Sequence, residues 1–119
     1  MPDPSTLADE QFCYLTTTGR VTGNPHEIKI WFGVSGKTVY MLSGGRSRSD
    51  WVKNLKRNPL VSVRIGSHRF GGVARTVDAD TEEDSMARRM LVGKYQPGHD
   101  GDLTDWGRTS LPVAIDIED

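Results

Sequence analysis

The sequence predicts a mainly β chain: a six-stranded antiparallel barrel, closed or nearly closed, with two or three short helices that plug or flank it. Three observations carry this. Short runs rich in β-branched and aromatic residues recur at 12–18, 27–32, 38–43, 60–65, 69–77 and 111–117, the composition of half-buried strands. Several of the joints between them are turns too short for a crossover helix. Helical periodicity is confined to two stretches, 50–57 and 81–93.

Residues 1–10 hold two prolines and no period, and are expected as a flexible arm; residues 11–119 are expected to form a single domain. Phe12 to Thr18 is the first strand. Gly19 and Gly23 bracket Arg20 and Thr22 in a turn that can bring backbone N–H groups near an anion. The second strand alternates, with Ile28, Ile30 and Phe32 facing one way and Glu27, Lys29 and Trp31 the other. After a turn at Ser35-Gly36-Lys37, the third strand runs from Thr38 to Ser43. The polar loop Ser43-Gly44-Gly45-Arg46-Ser47-Arg48-Ser49 leads into a helix over 50–57, with Ser49 as cap and Trp51, Val52 and Leu55 as buried stripe. Asn58-Pro59 ends it.

Leu60 to Ile65 and Arg69 to Val77 follow as strands, the latter with a bulge or sharp coil at Gly71-Gly72. Thr81-Glu82-Glu83-Asp84 opens the second helix as a variant capping box. Met86, Ala87, Met90 and Leu91 form its apolar stripe, and Gly93 its end. Residues 94–110 read as a long loop carrying Tyr95, His99 and Trp106, and Leu111 to Ile117 as the last strand.

Composition narrows the function classes. One domain of 119 residues, 35% hydrophobic with mean hydropathy −0.51, has a modest core. That suits a chain completing its burial as a homodimer. A formal charge of −1 asks for no nucleic-acid partner. The single cysteine, Cys13, excludes disulfide scaffolds and cysteine zinc sites and reads as a buried thiol. No apolar run approaches a membrane span, and the N-terminus lacks a signal peptide's regions, so a cytoplasmic location is expected.

No nucleophile–base pair or paired carboxylates stand out, and His26, His68 and His99 lack metal-ligand spacing. An enzyme of this kind needs a cofactor that brings its own chemistry. Arg46, Arg48, Lys53, Lys56 and Arg57 fall within twelve residues, opposed only by Asp50. The lysines read as a solvated helix face, whereas Ser43, Arg46 and Arg48 are candidates for an anion cradle. Trp31, Trp51, Trp106 and Tyr95 serve either packing or a wall for a flat ring system.

Four segments carry a family resemblance: Leu15-Thr16-Thr17-Thr18-Gly19-Arg20 with Gly23-x-Pro25; the strand ending in Trp31-Phe32; Trp51-x-x-Asn54-Leu55-x-x-Asn58-Pro59 before a valine-rich strand; and Trp106-x-Arg108-Thr109-Ser110-Leu111-Pro112-Val113. In this order and spacing, from Tyr14 to Glu118, the chain resembles the deazaflavin-dependent nitroreductase family. That family lies within the flavin-reductase-like split barrels that include the pyridoxamine phosphate oxidases. The resemblance implies an FMN-binding-protein-like split β-barrel, usually homodimeric, binding coenzyme F420 or, in neighbouring branches, FMN. It implies a hydride transfer to an activated alkene, quinone or nitro-type acceptor. Arg20, Thr22 and His26 match the turn that holds the cofactor's phosphate. Ser43, Gly44, Gly45 and Arg46, with Arg48 beside them, match the loop. Trp51 matches the aromatic beside the cofactor, and Glu27, Ile28, Lys29, Ile30 and Trp31 the strand along its ring.

Two positions depart from the pattern. Val21 stands where deazaflavin members often carry lysine, and His26 where they often carry arginine. Phosphate binding then leans on Arg20, Lys29, Arg46 or Arg48. Tyr95, or water, is the expected proton source. An FMN-dependent enzyme and a non-catalytic flavin or deazaflavin carrier remain the alternatives.

Overall fold

The computed structural model describes residues 3–118. Met1 and Pro2 of the expected arm, and Asp119, lie outside the described residues. The β-branched runs form β1 (Cys13–Thr18), β2 (Pro25–Ile30), β3 (Gly33–Ser35), β4 (Thr38–Ser43), β5 (Leu60–Ile65), β6 (His68–Thr76) and β7 (Leu111–Ile117). Three α-helices accompany them: α1 (Asp50–Arg57), α2 (Glu82–Tyr95) and α3 (Thr104–Thr109). Within 3–10, a single 3-10 turn spans Pro4–Leu7; Pro4 is buried and Leu7 packs against the core.

All strands pair antiparallel in one sheet, ordered β2-β1-β5-β6-β7-β4-β3. Connectivity forces this sheet to curl. β2 and β3 are its two edges, yet only Trp31 and Phe32 separate them. Three peptide steps reach at most about 11 Å, whereas six strand spacings in a flat sheet measure about 29 Å. The edges therefore meet at a seam, and the product is a split barrel. The strand count is seven rather than the expected six, because the second strand breaks at the seam. Phe32, fully buried, turns its peptide toward α2: its N–H donates to Tyr95 Oη (2.9 Å), and its carbonyl accepts from Lys94 Nζ (2.9 Å).

The barrel interior collects Cys13, Leu15, Val63, Ile65, Val113 and Ile115, with Phe32 and α1's Val52 and Leu55. β4 is apolar on both faces for a reason. Val39 and Met41 enter this core, while Tyr40 and Leu42 face a second cluster under Ala87 and Leu91 of α2. Arg75 ties that helix to the sheet, forking onto Glu83 (2.7 Å) and Asp116 (2.8 Å), while Tyr40 Oη also donates to Glu83 (2.6 Å).

Three further expectations are corrected. Of the bulge or sharp coil expected at Gly71-Gly72, the bulge is absent, since the β5–β6 register runs unbroken through both glycines. A Cβ on Gly72 would sit 2.9 Å from the Asp116 carbonyl oxygen; the glycine admits the β7 backbone. α2 continues past Gly93, its last two residues anchored at Phe32, which offsets the roughly 1 kcal/mol that glycine costs a helix interior. The expected loop over 94–110 is largely helical. Gln96 bonds Leu103 N–H (2.7 Å) and the Gly101 carbonyl (2.8 Å), and Asp102 accepts from Thr104 N–H (2.9 Å) to start α3. Arg88 clamps that helix through the Gly107 and Arg108 carbonyls, both at 2.8 Å.

Candidate functional site

Two clefts border β2, one toward each end. The first, about 490 Å³, lies between the β1–β2 turn and α1 and is lined by Arg20, Thr22, His26, Asp50 and Trp51 among others. The turn is built by Gly19, whose N–H donates to the Asn24 carbonyl (2.7 Å), and by Gly23 at φ +79°. His26 packs over Gly19 so closely that a Cβ there would lie 2.7 Å from its ring. Arg20 does not point freely into this cleft. Its Nη1 donates to Asn54 Oδ1 (2.8 Å) and its Nη2 to Asp50 Oδ1 (3.2 Å). Asn54, 5% exposed, in turn donates to Thr17 Oγ1 (3.3 Å). Glu27 and Ile28 complete the lining, and Val21 stands at the lip, 89% exposed. Arg20 is therefore tied to the Asp50 carboxylate, and Glu27 brings a second carboxylate to the lining of the same cleft.

The second cleft, about 350 Å³, is lined by Phe12, Lys29, Ile30, Trp31, Leu42 and Trp106. Its aromatic wall combines one stacked and one edge-on ring pair. Trp31 lies parallel to Tyr95, centroids 4.2 Å apart and planes 4° apart, and meets Trp106 edge-on at 5.5 Å. Tyr95 is the underside of this wall. It is 3% exposed, and its hydroxyl accepts from Phe32 N–H and donates to the Gln11 carbonyl (2.8 Å) or the Phe32 carbonyl (3.1 Å). Burial pushes this phenol up to about 12. The neighbouring Lys94, bonded to Phe32, is pulled down to about 8 by the same desolvation.

The Ser43–Ser49 loop lies beside the second cleft, with Gly44 against Trp106. Ser49 precedes α1 but does not cap it through its side chain. Its Oγ instead meets Ser43 Oγ at 2.8 Å, and Ser43 Oγ also lies 2.9 Å from the Arg46 carbonyl. Arg46 takes a left-handed conformation, φ 55°, and its guanidinium donates to the Thr109 carbonyl at the end of α3. Arg48 is exposed and has no partner among the described residues.

The expected site residues thus divide. Arg20, Thr22, His26, Glu27, Ile28 and Trp51 share the first cleft; Lys29, Ile30 and Trp31 share the second; Ser43, Gly44, Gly45, Arg46 and Arg48 lie on the loop; Tyr95 lies behind Trp31. The expected set omits Asp50, Asn54, Phe12 and Leu42. Asn54 leaves a trace in the sequence, as the one polar residue inside the buried stripe of a short helix. Phe12 and Leu42 leave none, because strand alternation does not say which strands meet at the seam. Among the described residues, no group of three or more His, Cys, Asp or Glu converges on a metal-sized site, and no helix is long and apolar enough to cross a membrane.

Comparison with known proteins identifies the family and the fold. The sequence profile of the F420H(2)-dependent quinone reductase family matches residues 5–118. The chain is 36% identical over 105 residues to the F420H(2)-dependent quinone reductase Rv1261c of Mycobacterium tuberculosis, spanning 85% of this chain and 68% of that protein. Among solved structures, an F420-H2 dependent reductase (FDR-A) superposes with a TM-score of 0.70 at 24% identity, covering 91% of this chain and 94% of the other. A Listeria innocua protein assigned to the pyridoxamine 5'-phosphate oxidases superposes at 0.68 with 20% identity, covering 95% and 88%. These two establish the split-barrel fold. With matched sequence along nearly its whole length and that fold beneath it, the chain belongs to the F420H(2)-dependent quinone reductase family and is an F420-dependent reductase.

Proposed function

We propose that this chain reduces a small quinone-type acceptor, with coenzyme F420 held along β2 and the acceptor in the aromatic cleft. The observation that carries this reading is the pairing of two clefts on one edge strand. The His26 end offers hydroxyl, imidazole and guanidinium groups, and the Trp31 end a ring-lined slot. The strand from His26 to Trp31 spans about 17 Å, suited to a flat ring system with an anionic tail. The residues fit such a group on a further ground. β2 pairs only with β1, so one side of its backbone has no strand neighbour.

Arg20, Thr22, His26, Arg46 and Arg48 would hold the tail, with Ser43, Gly44 and Gly45 shaping the loop around it. Trp51 would wall the ring system, and Glu27 through Trp31 would lie along it. The reduced cofactor supplies the hydride. The outward amides of β2 orient and polarise the acceptor's carbonyl, and the rings of Trp31, Trp106 and Phe12 exclude water from the cleft. Tyr95, with its hydroxyl committed to backbone groups, positions Trp31, so solvent water at the open mouth of the cleft supplies the proton. In this reading the chain works in the cytoplasm as a homodimer; the exposed cross-strand pair Leu60 (61%) and Val73 (38%) supports a partner on the β5–β6 face.

The test is parallel titration of the purified protein with F420 and FMN, followed by turnover with an added quinone. Micromolar or tighter F420 binding, with quinone-dependent oxidation of F420H2, is expected. Binding of FMN alone, or F420 binding with no acceptor-dependent oxidation, overturns the reading.

A further inference from the structure

The lining of the aromatic cleft has one charged member. Phe12, Trp31 and Trp106 supply rings and Ile30 and Leu42 aliphatic surface; Lys29 alone carries charge, and no carboxylate lines the cleft. Lys29 Nζ rests over the Phe12 ring, 3.7 Å from its centroid. That contact holds the ammonium at the ring-lined end of β2, three residues from His26 and about 10 Å along the strand. Among the described residues Lys29 forms no ion pair. Arg20, which lines the other cleft, has a carboxylate partner in Asp50, whereas no carboxylate lines the cleft that holds Lys29. Glu27, next on the same strand face, lines the other cleft and makes no bond to Lys29. A cation over one ring, beside two more rings and with no counter-charge, matches a flat acceptor bearing an anionic substituent. The cleft's about 350 Å³ stands at the small end of ligand sites, the size for one or two fused rings.

We infer that Lys29 is a specificity-determining residue for the acceptor, and that the cleft prefers quinones carrying an anionic group on the ring. This rests on the reading of the aromatic cleft as the acceptor site. It moves Lys29 from the cofactor's tail, its expected partner, to the substrate.

The experiment compares binding of two quinones to the cofactor-free protein, read by quenching of tryptophan fluorescence: 2-methyl-1,4-naphthoquinone, neutral, and 1,4-naphthoquinone-2-sulfonate, anionic. The sulfonate is expected to bind roughly two- to fivefold more tightly at low salt, the range for an exposed charge pair, and to lose that advantage at high salt. Lys29→Met should abolish the preference, and Lys29→Arg should keep it. Equal affinities in the wild type, or a preference that survives Lys29→Met, overturn the inference alone and leave the acceptor cleft standing. Weakened F420 binding in Lys29→Met with the quinone preference intact returns Lys29 to the cofactor and overturns it too. Failure of both quinones to bind overturns the cleft assignment together with the inference.

Discussion

Replacing Tyr95 by Phe separates a positioning role from a catalytic one. The substitution keeps the ring that stacks under Trp31 and removes only the hydroxyl. Three backbone groups surround that hydroxyl. The Phe32 carbonyl keeps Lys94 Nζ at 2.9 Å, but the Phe32 N–H, in a fully buried residue, loses its partner. An orphaned buried donor costs about 1–3 kcal/mol. At roughly 4 °C per kcal/mol for a chain of this size, Tm should fall by about 4–12 °C. Urea unfolding followed by circular dichroism measures the loss, and the tryptophan emission maximum should stay in place because the stack survives. Tyr95→Leu removes the stack as well and should shift that emission, at an added cost of about 0.5–1.5 kcal/mol. Turnover at saturating acceptor should change less than about threefold in Tyr95→Phe. A stability loss under about 0.5 kcal/mol, with turnover down on the order of a hundredfold, the scale of a lost general acid, would refute the reasoning and make Tyr95 the proton donor.

Three other outcomes follow from the same packing. Arg75 and Tyr40 hold the Glu83 carboxyl down at about 2 instead of 4.5, so the folded state binds fewer protons than the unfolded one between these values. Stability should be fully present above pH 4.5 and fall as pH drops toward 2, and Glu83→Gln should flatten that acid limb in pH-dependent unfolding. Burial pushes the Cys13 thiol up to about 12; a disulfide reagent at pH 8 should leave it unmodified in the native protein and react with it in guanidinium. Gly72→Ala places a Cβ 2.8 Å from Ile115 Cγ2 and 2.9 Å from the Asp116 carbonyl oxygen, and should destabilise by about 1–3 kcal/mol in chemical unfolding.

What could be read from the chain without its fold was local. Alternation and β-branching located the core strands, since strand burial has a period of two that neighbouring residues reveal. Asp50 to Arg57 was legible as a helix because a stripe, an acidic first turn and a following proline coincide within ten residues. The spaced motifs around Arg20, Trp51 and Trp106 placed the chain in its family. Contacts between distant segments stayed hidden. Nothing near Trp31 says that the strand must break there; the cause lies 63 residues on, where Tyr95 takes the Phe32 N–H. Likewise Gly93 reads as a helix end until Lys94 and Tyr95 are seen gripping the seam. The basic residues were visible, but not their neighbours: Arg20 meets Asp50 and Asn54 from α1, Arg46 meets the end of α3, and Lys29 is left among rings. Side-chain type is a property of the sequence, whereas the charge and wetness of a cleft arise from segments that meet only when the sheet curls and its two edges come together.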